Sequence, residues 1–512
     1  MKRLNRDEGG GGGGVVDYES HFPSEAKLAS SVRKIDWKRL FFIFLGLFLF
    51  FVLFFSDNWN DALDPQGKHF PLTQEGKMAL GLFLLAAVWW VFEVVPIGVT
   101  SIAIGVFQAL FLIRDTRVAF TDYLDPSVWF IVGSVVIGMA FAKSGLTKRM
   151  AYKMLLMVGE KTSMIYLGCF LMTAMLTLIM AHTAVAAAIF PLLMAVYSLY
   201  EEGDRPTKFG KGLFIGMAFV AGAGSIITLL GAARGAVAIG FFREIAGGEI
   251  SFFQLSYYMF PVGALMTICL WGLVMVLFKP ERSTIPGLKK KAEQLNKKLG
   301  KISRTEILTL VIVLAAILLM SMLQFVPALG KLNKSAIILT TTILFFMFNI
   351  LKIEDLEEIP WNIVLLFGGA MSIGFCLWQT GAASWLAISW LSVLQNAGWF
   401  VFVMGISIFV LIMTNLIMNV AAIAITLPVA LVIAPYLGVA PDVIFFSALA
   451  MAGMPFLLLV GAAPNAIAYE SKQFTSGEFF MAGVPASVLL IVILAVFVSF
   501  IWPIMGMPVT VN

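Results

Sequence analysis

Two polar side chains interrupt apolar stretches of the chain at matching positions. His182 lies in Met-Ala-His-Thr-Ala-Val-Ala-Ala-Ala-Ile-Phe-Pro (180–191), and Asn419 lies in Ile-Met-Asn-Val-Ala-Ala-Ile-Ala-Ile-Thr-Leu-Pro (417–428). The two residues are 237 positions apart (419 − 182), and so are the prolines that end the two stretches (428 − 191). Because a buried polar group costs free energy unless it has a partner, such residues indicate a site.

The polar residues that begin these two stretches, here called the tips, can bind an anion. The hydroxyl of Thr183 and the amide of Asn419 can bond carboxylate oxygens, and the imidazole of His182 titrates near neutral pH in water and can carry a proton or a charge. A lone histidine among apolar residues is also often a core residue with its hydrogen bonds satisfied. His182 is one of 3 histidines, and the other two lie in hydrophilic segments.

Two further interruptions follow the tips. Gly231-Ala-Ala-Arg-Gly235 and Gly461-Ala-Ala-Pro-Asn465 each break a long apolar segment, and Pro464 removes a backbone donor there. Such breaks free N–H and C=O groups at membrane depth, where they can hold ions. A kink that binds no ligand is the alternative, but the occurrence of two breaks at matched repeat positions favours a site.

Arg234 is the most unusual of these residues. A guanidinium at mid-membrane depth costs at least about 2.5 kcal/mol and faces the protein interior. Its fork of donors matches a carboxylate. The alternative is an internal salt bridge, for example with Glu244. We therefore predict that an anionic substrate is bound by five residues, which are His182, Thr183, Arg234, Asn419 and Asn465.

Two other polar residues have a structural explanation. Thr426 is typical of a helix hydroxyl that bonds its own backbone. Glu93, beside Pro96, is at least as consistent with an interfacial turn as with a site.

Composition shows which solvent the elements carrying these residues must face. The chain has 512 residues, 60% of them hydrophobic and 13% charged, and a mean hydropathy of +0.94. A soluble domain of this length could not bury so much apolar surface. The 3 cysteines stand in apolar surroundings and predict neither disulfides nor a metal site. The net charge of +5 requires no nucleic acid, because basic residues collect in cytoplasmic loops.

Hydropathy and charge predict the topology. We expect an all-α polytopic membrane protein with about 11 transmembrane helices and two re-entrant hairpins, arranged as an inverted repeat. Helices are expected near 37–55, 77–95, 97–113, 124–158, 209–246, 254–278, 304–324, 335–352, 360–395, 440–475 and 481–505. The lysine-rich loop places 279–303 in the cytoplasm with the N-terminus, and the C-terminus outside.

The predicted organisation has four parts. They are a disordered cytoplasmic tail (1–36), a first half (37–278) with a cytoplasmic-side hairpin (164–198) and a broken helix (209–246), the basic loop (279–303), and a second half (304–512) with an outer-side hairpin (398–436) and a broken helix (440–475).

Further matches support the duplication. Gly138, Ser144 and Gly145 correspond to Gly374, Thr380 and Gly381 at an offset of 236 (374 − 138). The two breaks correspond at an offset of 230 (461 − 231). Three near-constant offsets in one order make coincidence a poor explanation.

These motifs resemble the divalent anion/sodium symporter (DASS) family of di- and tricarboxylate and sulfate transporters. Trp89-Trp-Val-Phe-Glu-Val-Val-Pro96 is similar to its WW-x-x-E-x-x-P element, and Gly461-Ala-Ala-Pro-Asn465 to its G-T-P-P-N break. The resemblance covers roughly 78–505. It implies a homodimer whose transport half moves like an elevator against a scaffold half. We also expect a protein of the bacterial cell membrane that is not an enzyme and has no organic cofactor.

The chain departs from the family where coupling is decided. Each family tip carries Ser-Asn-Thr, whereas here the first reads Ala181-His182-Thr183 and the second Met418-Asn419-Val420. Sodium needs oxygen ligands. The positions that correspond to ion-coupling or charge-compensating ones are His182, Gly231, Arg234, Met418, Gly461 and Ala462.

We therefore expect His182 and Arg234 to replace bound sodium, which would make transport of a small dianion sodium-independent, by exchange or proton coupling. A sodium site in the second half stays open, as does a sodium-coupled dicarboxylate or sulfate symporter. A sodium/proton antiporter of the wider superfamily is disfavoured, because neither tips nor breaks contain Asp or Glu.

Overall fold

The computed structural model describes most of the chain. The described residues are 36–57, 59–63, 68–200, 206–394, 398–416 and 418–511. Of the predicted tail (1–36), only Asp36 falls within them, so the tail prediction lies outside the described residues.

Nearly all regular structure is helical. The helices up to the basic loop are α1 (Trp37–Phe54), α2 (Gln74–Val91), α3 (Ile97–Leu110), α4 (Thr116–Thr121), α5 (Pro126–Ser144), α6 (Leu146–Val158), α7 (Thr162–Thr177), α8 (His182–Tyr200), α9 (Lys208–Ser225), α10 (Arg234–Phe241) and α11 (Phe252–Leu277). A 3₁₀ turn (Asp122–Leu124) precedes α5, and a π turn (Phe242–Ala246) follows α10.

The second set begins in the basic loop. It comprises α12 (Leu288–Leu299), α13 (Arg304–Met322), α14 (Lys334–Met347), α15 (Ile353–Glu357), α16 (Trp361–Gln379), α17 (Ala382–Leu394), α18 (Trp399–Leu416), α19 (Asn419–Ile433), α20 (Pro441–Ala452), α21 (Ala463–Tyr469), α22 (Ser476–Val496) and α23 (Trp502–Ile504). Short 3₁₀ or π turns lie at Ala434–Leu437, Leu459–Gly461 and Phe497–Ile501. In the described residues, the sheet structure is one antiparallel pair, β1 (Ala62–Leu63) and β2 (His69–Phe70), with Ala62 opposite Phe70.

The order of elements recurs. The succession α2 to α11 has the same order of helices, hairpin and broken helix as α13 to α22, with α12 between them. Local caps repeat less regularly: Ser303 and Glu306 form a capping box on α13, whereas α2 begins with Thr73 alone. The duplication is therefore visible in the structure as well as in the sequence offsets.

Nine helices of the described residues are long and apolar enough to cross a membrane. They include α8, α18 and α19, which belong to the two hairpins, and four further apolar helices are shorter. The described part of the chain is that of a nearly all-helical polytopic membrane protein, and the side on which each loop lies stays a prediction.

Glycines divide two helices that the sequence predicted to be continuous. Gly145 (φ 85°) ends α5 and Gly381 (φ 76°) follows α16, so 124–158 and 360–395 each form two helices. Glycine adopts this left-handed conformation without the steric cost of a Cβ and ends helices for that reason. The expectation of one long helix in each place was wrong.

The two halves exchange partners across the centre of the molecule. α3 packs against α16 and α14 against α5. α8 packs against α21, and α19 packs against α10. Each hairpin therefore rests on the broken helix of the opposite half, which brings both tips and both breaks together.

Candidate functional site

The first tip is tied to its own break through a backbone carbonyl. α7 ends at Thr177, and α8 begins at His182 after a short turn. The backbone N–H of His182 donates to the carbonyl of Gly231 at 2.9 Å, and its Nδ1 lies 3.1 Å from the same oxygen. Because a carbonyl only accepts, this contact is a hydrogen bond in the tautomer with a proton on Nδ1, which leaves Nε2 for another partner.

A side chain has no room at Gly231. A Cβ there would lie 2.5 Å from the carbonyl oxygen of Ser225 and 2.7 Å from that of Thr177. Thr228 adds a second tie, since its hydroxyl donates to the carbonyl of Leu178 at 2.8 Å. The glycine thus allows the hairpin turn to lie directly on the break.

The second tip is held by side chains before it. Asn415 accepts at Oδ1 from the backbone N–H of Leu457 at 2.7 Å, and its Nδ2 donates to the carbonyl of Leu411 at 2.7 Å. Thr414 donates to the carbonyl of Ala452 at 2.9 Å. Sequence reasoning missed both residues, although Thr414 lies 237 positions after Thr177 (414 − 177) and this offset could have identified it.

Asn465 closes the second break on itself. Its Nδ2 donates to the carbonyls of Pro455 at 2.8 Å and Leu458 at 3.1 Å, and it is 2% exposed. Gly461 packs close to Pro455 and to the carbonyl of Thr414. Among the hydrogen bonds of the described residues, none joins the N–H of Asn419 to the Gly461 carbonyl, the counterpart of the bond from His182 to Gly231.

Arg234 lies behind the tips, between the end of α9 and the end of α20. It is the first residue of α10 and 1% exposed, and its Nη2 donates to Ser225 Oγ at 2.8 Å. A Cβ on Gly453, just after α20, would lie 2.8 Å from Nη2. Within the described part of the chain, Nε and Nη1 have no hydrogen-bond partner, and Glu244 pairs with Arg243 instead.

A cavity of about 270 Å³ lies between the two tips. It is lined by Ile131, Ser134, Val135, Met139, Ala181, His182, Thr183, Ala184, Ala187, Leu230, Ala232, Ala233, Glu358, Pro360, Ile363, Phe367, Met418, Asn419, Val420, Ala462 and Ala463. The first residues of α8 and α19 are among them, so the positive ends of two helix dipoles face the cavity.

The cavity separates the predicted site residues into two groups. His182, Thr183 and Asn419 line it, as do Met418 and Ala462. Four others do not line the cavity and lie at the two breaks behind the tips; they are Arg234, Asn465, Gly231 and Gly461. Ser134 is a lining polar residue that the sequence alone did not single out.

The mouth of the cavity carries charge. Glu358, whose side chain is 60% exposed, lies 3.5 Å from Lys143 Nζ, and Lys143 also contacts Asp355 at 2.7 Å. The hydrogen bond from Lys143, together with one from the Lys352 backbone, holds the pKa of Asp355 below its ordinary value. An ammonium group therefore lies beside the Glu358 carboxylate at this edge of the cavity.

Most of the chain matches one known protein family. The family model described as the sodium:sulfate symporter transmembrane region matches residues 65–508. The chain belongs to this family. The match confirms the resemblance to the divalent anion/sodium symporters and makes the protein an integral membrane transporter.

Curated relatives of this symporter family match along almost the whole chain. One is the sodium-dependent dicarboxylate transporter SdcS of Staphylococcus saprophyticus, which is 24% identical over 461 residues, covering 86% of this chain and 89% of the relative. SdcS of Staphylococcus aureus (strain bovine RF122 / ET3-1) is 26% identical over 479 residues, covering 90% of each protein.

A solved structure agrees in fold. MtrF of Neisseria gonorrhoeae, described as illuminating a class of antimetabolite efflux pumps, superposes with a TM-score of 0.55 at 13% identity. The similarity covers 90% of this chain and 93% of that one. At this identity it supports the fold of the symporter family and no more.

Proposed function

We propose that the protein is a secondary active transporter that binds one small dicarboxylate in the cavity between the hairpin tips. The observation that carries this proposal is the convergence of His182, Thr183 and Asn419 on one cavity, at the N-termini of α8 and α19. Donors and helix dipoles directed at one space favour an anion.

The size of the cavity favours a short substrate. Its volume of about 270 Å³ lies just below the usual range of ligand sites, roughly 300–1,000 Å³. The lining is mostly aliphatic, with polar groups at the tips. A C4 dicarboxylate could place its carboxylates on the tips and its methylenes against Ile131 or Phe367, whereas sulfate has no apolar part to match them.

We propose that sodium drives this transport and binds in the second half. The curated relatives carry the name of sodium-dependent dicarboxylate transporters, which supports sodium coupling. The Gly461 carbonyl receives no bond from Asn419 among the described residues, so oxygen atoms of the second tip and break remain for a cation.

The first half is proposed to supply positive charge from the protein. Its Gly231 carbonyl is engaged by His182, and the buried guanidinium of Arg234 would repel a cation placed behind the tip. Arg234 would then help to compensate the substrate charge through the break, without touching the substrate in this conformation. One sodium site would be lost relative to a symmetric arrangement.

Sodium-independent exchange or proton coupling is the second candidate. The observation that favours it is the same substitution of His182 and Arg234 near the first tip, extended to a second tip in which Met418 and Val420 offer no side-chain oxygen. The two candidates differ in whether uptake requires sodium.

Assembly and orientation are also proposals. The family resemblance supports a homodimer in the bacterial cell membrane, with elevator motion of one part against the other. The lysine-rich loop 279–303 supports a cytoplasmic N-terminus and an outer C-terminus. Light scattering of the purified protein measures its oligomeric state. The accessibility of single cysteines introduced in loop 279–303 shows on which side of the membrane this loop lies.

Uptake of labelled succinate into proteoliposomes tests the site. We expect Thr183→Val to reduce uptake strongly, because Thr183 lines the cavity and the variant removes the hydroxyl proposed to bind the substrate. Thr426→Val is the matched control, because the Thr426 hydroxyl bonds its own helix at the Ala422 carbonyl. Equal uptake by both variants, or none by the unmodified protein under any cation gradient, would contradict the proposed site.

A further inference from the structure

The helix between the two halves presents a lysine-rich surface. α12 spans Leu288–Leu299 and exposes five lysines, which are Lys289, Lys290, Lys291, Lys297 and Lys298, against one exposed acidic residue, Glu293. A basic loop suffices to orient a membrane protein. A folded and docked helix, with its charges in fixed positions, is more than that rule requires.

α12 is held firmly on the protein. Leu288 and Ala292 are 2% and 1% exposed, and the helix packs against α6. Arg149 of α6 donates to the carbonyl of Gly300 at 2.9 Å, just after the end of α12, and pairs with Glu306 at 2.7 Å. The lysine-bearing face is therefore presented by a rigid support.

The spacing of the lysines forms two pairs. Lys290 and Lys297 are seven residues apart, as are Lys291 and Lys298, which corresponds to about two helical turns or roughly 10 Å along the axis. The buried residues Leu288 and Ala292 lie on the opposite face. The four ammonium groups thus form one compact basic patch, here called the α12 patch.

The α12 patch lies at the boundary of the membrane-spanning region. α11 ends at Leu277 and α13 begins at Arg304, and both helices are candidate membrane spans. Exposed apolar side chains lie on either side of the loop, with Val276 79% and Ile302 47% exposed. Apolar groups next to a basic surface match the transition from acyl chains to headgroups.

We propose that the α12 patch binds the phosphate groups of anionic phospholipids. Among the described residues, no carboxylate forms an ion pair with these four lysines, and the negatively charged phosphates would serve as their partners. Each lysine near an anionic surface adds to the attraction. Free inorganic or organic phosphate shares this chemistry, but the flanking apolar residues favour a lipid. The proposal does not depend on the transported substrate.

Bound lipid would act on the base of the first hairpin. The loop before α12 joins both ends of that hairpin, since Thr162 donates to the Ser283 carbonyl at 3.0 Å and Glu281 accepts from Tyr200 at 2.9 Å. Glu160 also accepts from the N–H of Gly287 at 3.0 Å. Anionic lipid would therefore stabilise the folded protein and not only attract it to a surface.

Thermal unfolding of the full-length protein in a neutral detergent tests the proposal. We expect phosphatidylglycerol to raise the unfolding midpoint while phosphatidylcholine does not, because a ligand of the folded state stabilises it by mass action. Replacement of Lys290, Lys291, Lys297 and Lys298 by Gln should leave about a quarter of the shift or less, and replacement of all four by Arg should retain it. In the unmodified protein, 1 M KCl should abolish the shift, which keeps the test valid if the Gln variant fails to fold.

Three outcomes would overturn the proposal. One is a phosphatidylglycerol shift that the Gln variant retains. Another is an equal shift with phosphatidylcholine. The third is an equal shift with glycerol phosphate alone, which would assign the α12 patch to free phosphate instead of lipid.

Discussion

The two tips of this transporter occupy equivalent places in the repeat but are fastened differently. At the first, the backbone and ring of His182 both approach the Gly231 carbonyl, and Arg234 is buried behind them. At the second, Asn415 and Asn465 hold the chain with neutral amides. The first tip thus lies among positive or protonatable groups, and the second among neutral oxygen and nitrogen atoms.

The difference shows how a duplicated site can become asymmetric without loss of fold. The helices around both tips pack in the same pattern, so the backbone frame is shared. Charge is not shared, because a buried guanidinium without a carboxylate partner stands in one half only of the described site. We propose that the positive charge is supplied by the protein in the first half and by a bound cation in the second.

The largest effect is expected from Arg234→Met. Transport should fall on the order of 100-fold, because the variant loses the positive charge that compensates the charge of the substrate. This factor corresponds to about 2.7 kcal/mol. The unfolding midpoint should stay the same or rise, since an apolar side chain avoids the cost of burying an unpaired charge. Uptake and thermal unfolding are measured on the same preparation.

Arg243→Met is the control for that variant. Arg243 is partly exposed and contacts Glu244 and Asp125, so its loss should change transport little. Unchanged uptake by Arg234→Met would remove Arg234 from the account of the first half.

The second tip should respond to Asn415→Ala mainly through stability. The variant leaves the backbone N–H groups of Leu457 and Leu458 without their acceptor, which costs about 1–3 kcal/mol for a buried donor. Thermal unfolding measures the loss, and uptake by the folded fraction shows whether the second tip retains its shape. A midpoint equal to that of the unmodified protein would show that these bonds do not hold the tip.

A smaller effect is expected from His182→Asn, which places the second tip's side chain on the first. The backbone bond to Gly231 remains, and only the ring contact is lost. Uptake should fall about tenfold, which corresponds to 1.4 kcal/mol. Any dependence of uptake on pH that comes from the imidazole should disappear, and a pH profile identical to the unmodified protein's would exclude a titrating role for His182.

The smallest effect concerns the mouth of the cavity. The pKa of Asp355 is lowered by the hydrogen bond from Lys143, so its carboxylate stabilises the fold above its unfolded pKa, and this contribution is lost as pH falls through the folded pKa. The difference in unfolding midpoint between the unmodified protein and Asp355→Asn should therefore be constant above the ordinary carboxyl pKa of about 3.9 and shrink as the pH falls below it. A difference that stays constant with pH would contradict this assignment.

The sequence was a good guide where a pattern repeated. Polar residues at a fixed offset predicted that His182 and Asn419 share a site, and both line one cavity. The same offset reaches Thr414, which was overlooked because hydroxyls are common in apolar helices. Gly145 and Gly381 were recognised as a matched pair, yet their left-handed conformation, which divides two helices, was not expected.

Side-chain direction was the part that sequence could not supply. Arg234 was expected to face the substrate, but its position at the start of α10 directs the guanidinium to Ser225 and Gly453, behind the tips. Asn465 likewise turns inward to the carbonyls of its own break. Which way a residue points from a broken helix depends on the packing of both halves, and no local pattern encodes that.

Succinate uptake into proteoliposomes shows whether sodium drives transport through one site in the second half. Sodium is varied at constant ionic strength, with choline as the replacement cation. We expect uptake to require sodium with a Hill coefficient near one, because the second half holds a single cation site. A Hill coefficient near two would show that the first half still binds sodium despite Arg234. Uptake that is indifferent to sodium would contradict sodium coupling and establish exchange or proton coupling in its place.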